Sequence, residues 1–175
     1  GNGRWGLKKK KSRNFGHNEG VKVVEKIITE AISCRVKYLT LFTFSTENWK
    51  RPKKEITFLM YLLEKYIEQH LTNFNKKKVK LKIIGNINKF PNYLKKNLKK
   101  AELITKKNSK IQINIALNYG SKEEIVNAVK KIKKLSIPIN EKNITKNLYT
   151  KDIPDPEILI RTGDRKRLSN FLLWQ

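Results

Sequence analysis

Six consecutive residues, Leu39-Thr40-Leu41-Phe42-Thr43-Phe44, carry no charge in a chain that is 31% charged, and this contrast limits the fold more than any other stretch. An unbroken run of β-branched and aromatic residues suits a strand buried in a sheet covered on both faces. At its carboxyl end stand Ser45, Thr46, Glu47, Asn48, Trp49, Lys50 and Arg51, then Pro52, which stops a strand and suits a first helical turn. Ile56, Leu59, Met60, Leu63 and Ile67 recur at helical spacing. The polar cluster is therefore a strand-to-helix loop, and open α/β sheets place their ligand crevices at such carboxyl ends. Trp49, flanked by the donors of Asn48 and Arg51, suits a phosphorylated substrate. The plainer alternative is a loop that caps a helix and solvates a turn.

The rest of the chain continues the alternation. Helical spacing marks residues 21–31, 53–74, 91–105 and 122–134, with a short helix near 140–149. Strand patterns mark 79–85, 111–117 and 157–162, the second running into Asn118-Tyr119-Gly120, a tight turn of structural role. Strands alternating with helices predict an α/β fold: a mostly parallel central sheet flanked by helices, joined by right-handed crossovers, with the polar loops gathered on one edge. The 175 residues form a single domain, 1–175, with no internal repeat and no linker. The only methionine is Met60, so Gly1 reads as an internal residue of a longer protein, and the Trp174-Gln175 end reads as cut. Lone Cys34 rules out an internal disulfide and fits a reducing cytoplasm. No stretch of about 18 apolar residues is present to span a membrane.

A formal charge of +25 first suggests nucleic acid or an anionic membrane surface. Lysines supply most of it, scattered along helices and turns among many Asn and Ile, which looks like compositional drift. Only seven cations are arginines: Arg4, Arg13, Arg35, Arg51, Arg161, Arg165 and Arg167. Where lysine is the default cation, an arginine points to a site that needs its planar fork, which holds phosphate oxygens bidentately. Gly1-Asn2-Gly3-Arg4-Trp5 offers two glycines that let backbone N–H groups approach an anion, though Gly-Asn-Gly is also a plain turn. His17, near a helix start, can donate to a phosphate, or it is simply solvated there.

In order, G-N-G-R-W, R-x-x-G-H (Arg13 to His17), F-S-T-E-N-W-K-R-P (Phe44 to Pro52), N-Y-G and the final I-R-T-G-D-R-K-R-L-S-N-F-L-L-W-Q resemble the cis-prenyltransferases, the undecaprenyl diphosphate synthase family. Five of the seven arginines, Arg4, Arg13, Arg51, Arg161 and Arg167, fall on positions that match the motifs. The resemblance implies a hydrophobic tunnel lined by the helix at 53–74. It implies the condensation of an allylic diphosphate, farnesyl or shorter, with successive isopentenyl diphosphates, giving a long-chain product such as undecaprenyl diphosphate. Gly1, Asn2, Gly3, Arg4, Trp5, Arg13 and His17 would then receive the allylic diphosphate. Ser45, Thr46, Glu47, Trp49 and Arg51 would line the same site, with Asn48 at the position assigned to proton loss. Arg161, Arg167, Leu168 and Ser169 would hold isopentenyl diphosphate.

Asp164 and Arg165 depart from the family's glycine and glutamate, which puts the shape of that loop in question. The implied cofactor is Mg²⁺, bound by an aspartate just before Gly1 and a glutamate beyond Gln175, so no metal ligand is expected within the chain. A homodimer is implied, with a product that partitions to the membrane and no nucleic-acid partner. A cytoplasmic location follows, with a peripheral position at the inner face of the plasma membrane left open. The competing readings are a basic nucleic-acid-binding protein and another phosphate-handling α/β enzyme. The first should interleave aromatics with basic residues on an exposed face. A P-loop member of the second needs G-x-x-x-x-G-K-[ST], which is absent.

Overall fold

The computed structural model describes residues 1–163 and 166–175. Asp164 and Arg165, whose effect on their loop was in question, lie outside the described residues. Three parallel strands form one sheet in the order β1-β3-β2: β1 (Tyr38–Ser45), β2 (Val79–Ile84) and β3 (Ile111–Tyr119). The helices are α1 (Asn2–Lys8), α2 (Arg13–Ser33), α3 (Lys53–Lys76), α4 (Asn92–Thr105), α5 (Ser121–Lys134) and α6 (Glu141–Asn147). The α/β reading with a parallel sheet flanked by helices holds. On one face, Ile28 of α2, Met60, Ile67 and Phe74 of α3 and Leu94 and Leu98 of α4 pack with Ile111, Ile113, Ile115 and Leu117 of β3. On the other, Phe171 and the partly buried Tyr149 and Ile153 cover Ile84, Ala116 and Tyr119.

β3, not β1, is the strand covered on both faces, since every residue from Ile111 to Tyr119 is buried. Its alternating polar side chains survive burial by pairing: Gln112 Nε2 donates to Asn114 Oδ1 at 2.9 Å, and Asn114 Nδ2 donates to Thr40 Oγ1 at 3.0 Å. β1 lies at the sheet edge, with Tyr38 and Phe42 well exposed. An uncharged run specifies a strand but not its place in the sheet.

Two further expectations are corrected. Residues 157–162 form no strand: they pair with no neighbour, and Ile158 and Ile160 are 78% and 83% exposed. A chain with strand composition but no ladder partner stays irregular. Gly1-Asn2-Gly3-Arg4-Trp5 is not a turn but the start of α1. The glycines let that helix press on α2, since a Cβ at Gly6 would lie 2.4 Å from Ser12 O and one at Gly16 2.0 Å from Asn2 O. α2 begins at Arg13, earlier than its apolar spacing shows, because the Ser12 hydroxyl caps it by accepting from Phe15 N at 3.0 Å. No described helix is long and apolar enough to cross a membrane.

Candidate active site

Ser45 closes β1 and opens a 3-10 turn, Thr46–Lys50. A reciprocal cap holds that turn: the Ser45 hydroxyl accepts from Asn48 N–H, and Asn48 Oδ1 accepts from Ser45 N–H at 3.2 Å. Trp49 then anchors the turn to the sheet. Its ring stands edge-on to Phe44 and Phe90, with centroids 5.1 and 5.9 Å away, and its Nε1–H donates to Asn118 Oδ1 at 2.7 Å. Asn118 adopts a left-handed φ of 45° and donates onward to Asn86 O at 2.6 Å, so one indole ties together the carboxyl ends of all three strands.

Arg51 follows the turn and meets Glu55 of α3 at 3.0 Å. Glu55 is a hub that the sequence reading did not single out. Arg13 Nε reaches it at 3.0 Å and Arg13 Nη2 at 3.3 Å, and His17 Nε2 at 3.1 Å. The carboxylate is 8% exposed. Burial works to raise its pKa, but hydrogen bonds from His17 and Arg13 and the charges of Arg13 and Arg51 outweigh this and hold it below the usual carboxylate range. The His17 pKa is lowered, first by burial, which prevails over the opposing Glu55 contact. Gly3 lets this cluster form, because a Cβ there would sit 3.3 Å from Arg13 Cζ and from His17 Nε2. The i to i+4 spacing of Arg51 and Glu55 at a helix start was the available clue.

α1 brings the remaining N-terminal candidates. The Asn2 amide lies over Gly20 of α2, Arg4 is exposed, and Trp5 stacks on Phe15 with centroids 6.1 Å apart and planes 7° from parallel. At the far end of the chain, Arg161 Nη1 donates to Ser169 Oγ at 2.9 Å and to the Arg167 carbonyl, so these three predicted residues do come together, with Leu168 half-exposed beside them. The two ends of the chain meet. A Cβ at Gly163 would lie 3.6 Å from the Gly1 nitrogen.

Asn170, also missed in the sequence, joins this loop to the anchor turn. Its Nδ2 donates to Glu47 Oε1 at 3.0 Å, its Oδ1 accepts from Lys122 N at 2.9 Å and its carbonyl accepts from Ser121 N at 2.8 Å. The Glu47 pKa is lowered: burial opposes this, but hydrogen bonds from Asn170, its own backbone, Ser45 and Thr46 prevail. Thr46 and Asn170 hem in Gly120, where a Cβ would lie 2.5 Å from Thr46 Oγ1. The described residues hold no group of three His, Cys, Asp or Glu placed for a metal. Glu55 is enclosed by Arg13, Arg51 and His17, and Glu47 is bonded to Asn170, so both carboxylates are committed within the fold.

Five of the six described arginines thus gather at one edge of the sheet, in two groups suited to oxyanions. The prenyltransferase family model, that of undecaprenyl diphosphate synthase, matches residues 1–175. An isoprenyl transferase of Fusobacterium nucleatum is 47% identical over 100% of this chain and 76% of its own length. Another, from Prochlorococcus marinus, is 44% identical over 100% and 67%. A probable undecaprenyl diphosphate synthase from Campylobacter jejuni, 38% identical, superimposes with a TM-score of 0.83 over 90% of this chain and 76% of that one. Lavandulyl diphosphate synthase from Lavandula x intermedia, solved with dimethylallyl diphosphate, is 30% identical with a TM-score of 0.94 over 100% and 79%. The fold and the relatives are those of an enzyme that transfers prenyl groups. The chain belongs to the undecaprenyl diphosphate synthase family, the isoprenyl transferases.

Proposed function

We propose that this protein condenses isopentenyl diphosphate with an allylic diphosphate, farnesyl diphosphate in the first instance, repeatedly and in cis, to build undecaprenyl diphosphate, the lipid-carrier precursor for bacterial cell-wall synthesis. The observation that carries the reading is the pair of cationic groups, Arg13–His17–Arg51 on Glu55 beside Gly3 and Arg161–Ser169–Arg167 in the loop whose Gly163 lies against Gly1. Two diphosphates need two such groups. In the reaction the allylic C–O bond breaks and its electron pair leaves on diphosphate. The alkene of isopentenyl diphosphate forms the new carbon–carbon bond, and loss of a proton restores a double bond.

Arg13, Arg51, His17, Arg4 and the N–H groups of Gly1 to Gly3 take the charge gathering on the leaving group. Arg161, Arg167 and Ser169 hold the second diphosphate, with Leu168 against its chain. Ser45, Thr46, Glu47 and Trp49 keep the anchor turn in place. Asn48 Oδ1 is committed to Ser45, so its amide nitrogen is the end turned to substrate, where it orients diphosphate or water for the proton loss. Magnesium, held by the aspartate and glutamate that the resemblance implies rather than by these residues, would supply further charge neutralisation. The apolar side of α3 would line the tunnel for the growing chain, in a homodimer working in the cytoplasm and releasing product to the membrane. The test is incubation with farnesyl diphosphate and labelled isopentenyl diphosphate, then sizing of the product. A product of eleven units is expected, with eight added in cis to the three all-trans units of the farnesyl primer. A single addition, or no transfer, overturns the reading.

A further inference from the structure

The segment that follows Arg161 and Arg167 turns through Ser169, Asn170 and Leu172 with left-handed φ values of 53°, 59° and 46°. Side chains are disfavoured in that region, asparagine least, and such a path persists only where its surroundings hold it. What holds this one is α5. The N-cap of α5 is Gly120, which has no side chain to accept from the N–H groups of the first turn. Asn170 does so in its place: its carbonyl accepts from Ser121 N at 2.8 Å and its Oδ1 from Lys122 N at 2.9 Å. The Ser121 hydroxyl accepts in turn from Leu173 N at 3.0 Å, so the segment is bonded to α5 on both sides of Phe171. With its oxygen committed to α5, the Asn170 amide turns its nitrogen to Glu47 Oε1, 3.0 Å away. The opposite orientation would set N–H against N–H and oxygen against carboxylate. Glu47 belongs to the turn Thr46–Lys50, which leads directly to Arg51. The pieces touch at Gly120, where a Cβ would lie 2.5 Å from Thr46 Oγ1 and 2.7 Å from Asn170 Nδ2.

We propose that Asn170 is a positioning residue for prenyl transfer: its bond to Glu47, braced on the first turn of α5, fixes the Arg161–Ser169 group relative to the turn that carries Asn48 and Arg51. The role rests on the prenyl-transfer reading. Asn170 acts through its neighbours, with Ser169 beside it on the side of isopentenyl diphosphate and Glu47 on the side of the allylic substrate. An alkene held about 1 Å out of line with the allylic carbon reacts about a hundredfold more slowly, so a bond that sets the spacing of the two groups governs rate as well as binding.

The test is Asn170→Asp in the full chain. Aspartate tolerates a left-handed φ and still accepts from Lys122 N–H, so α5 stays capped, but it presents Glu47 with a second carboxylate. The kcat/KM for isopentenyl diphosphate should fall about ten- to a hundredfold while Tm does not fall. Adding Glu47→Gln supplies a side-chain N–H that donates to the new carboxylate, and should restore kcat/KM to within about threefold of the unaltered protein. Adding Glu47→Ala instead restores the same net charge without a donor, and should not. Full activity in Asn170→Asp, a loss that tracks a fall in Tm, or equal recovery with Glu47→Ala and Glu47→Gln would overturn the proposal. Calorimetric titration with isopentenyl diphosphate needs no turnover, and its dissociation constant should rise and recover in the same order. If the unaltered protein shows no transfer, the enzymatic reading falls and the titration alone decides the bridge: a dissociation constant indifferent to Asn170→Asp overturns it, and one that follows the variants upholds it.

Discussion

Arg161 reaches Ser169 and the Arg167 carbonyl from an exposed position. A charge-assisted contact of this kind contributes about 1.5–3 kcal/mol. Arg161→Ala or Arg167→Ala should therefore raise KM for isopentenyl diphosphate about ten- to a hundredfold, with KM for the allylic substrate changed far less. Equal weakening of both would reject the division of labour between the two cationic groups. His17 supports a prediction in pH. Burial lowers its pKa in the folded chain, whereas the unfolded imidazole titrates near about 6.5. Below that pH the unfolded chain takes up a proton that the folded one resists, so stability drains away as pH falls from 7 towards 5. The depressed Glu55 pKa acts with the same sign at lower pH still. Tm should drop between pH 7 and pH 5.5, and drop less in His17→Gln; a flat or rising Tm would refute it. The arginines were legible in the sequence because lysine is the background cation. Glu55 was not, because only Arg51 is near it in sequence while its other two partners stand 38 and 42 residues away.

At the scale of elements, glycine shows why the first helix was misread. In a sequence, glycine announces freedom in φ, yet Gly3, Gly6 and Gly16 all sit in helices and contribute only their missing Cβ. Gly16→Ala tests this. Alanine favours the helix by about 1 kcal/mol, but its methyl would meet a backbone oxygen that belongs to α1 and cannot swing aside. Net destabilisation of about 1–3 kcal/mol is expected in denaturant unfolding, with poorer binding of the allylic substrate as Gly1 to Arg4 are displaced. An unchanged midpoint would mean that α1 is not seated on α2. Helices α3, α4 and α5 were legible because an amphipathic stripe needs no knowledge of its partner. Strand composition does need it: residues 157–162 have the composition and no ladder, while β3, with polar residues at alternate positions, is the strand buried throughout.

For the molecule as a whole, β3 is the element bonded on both sides and covered on both faces. Its amides should exchange slowest in native-state hydrogen exchange, with the outer amides of β1 and β2 released first. Amides of β1 outlasting those of β3 would contradict this order of cohesion. The register of the sheet has a further consequence. Thr40 of β1 pairs with Asn114 of β3, 74 residues later. At about 5–20 residues per second, a ribosome takes about 4–15 s to deliver the partner after β1 has emerged. For that interval Leu39, Leu41, Phe42 and Phe44 form a nascent, unpaired apolar segment, so this strand is where a holding chaperone would act on the chain during its synthesis.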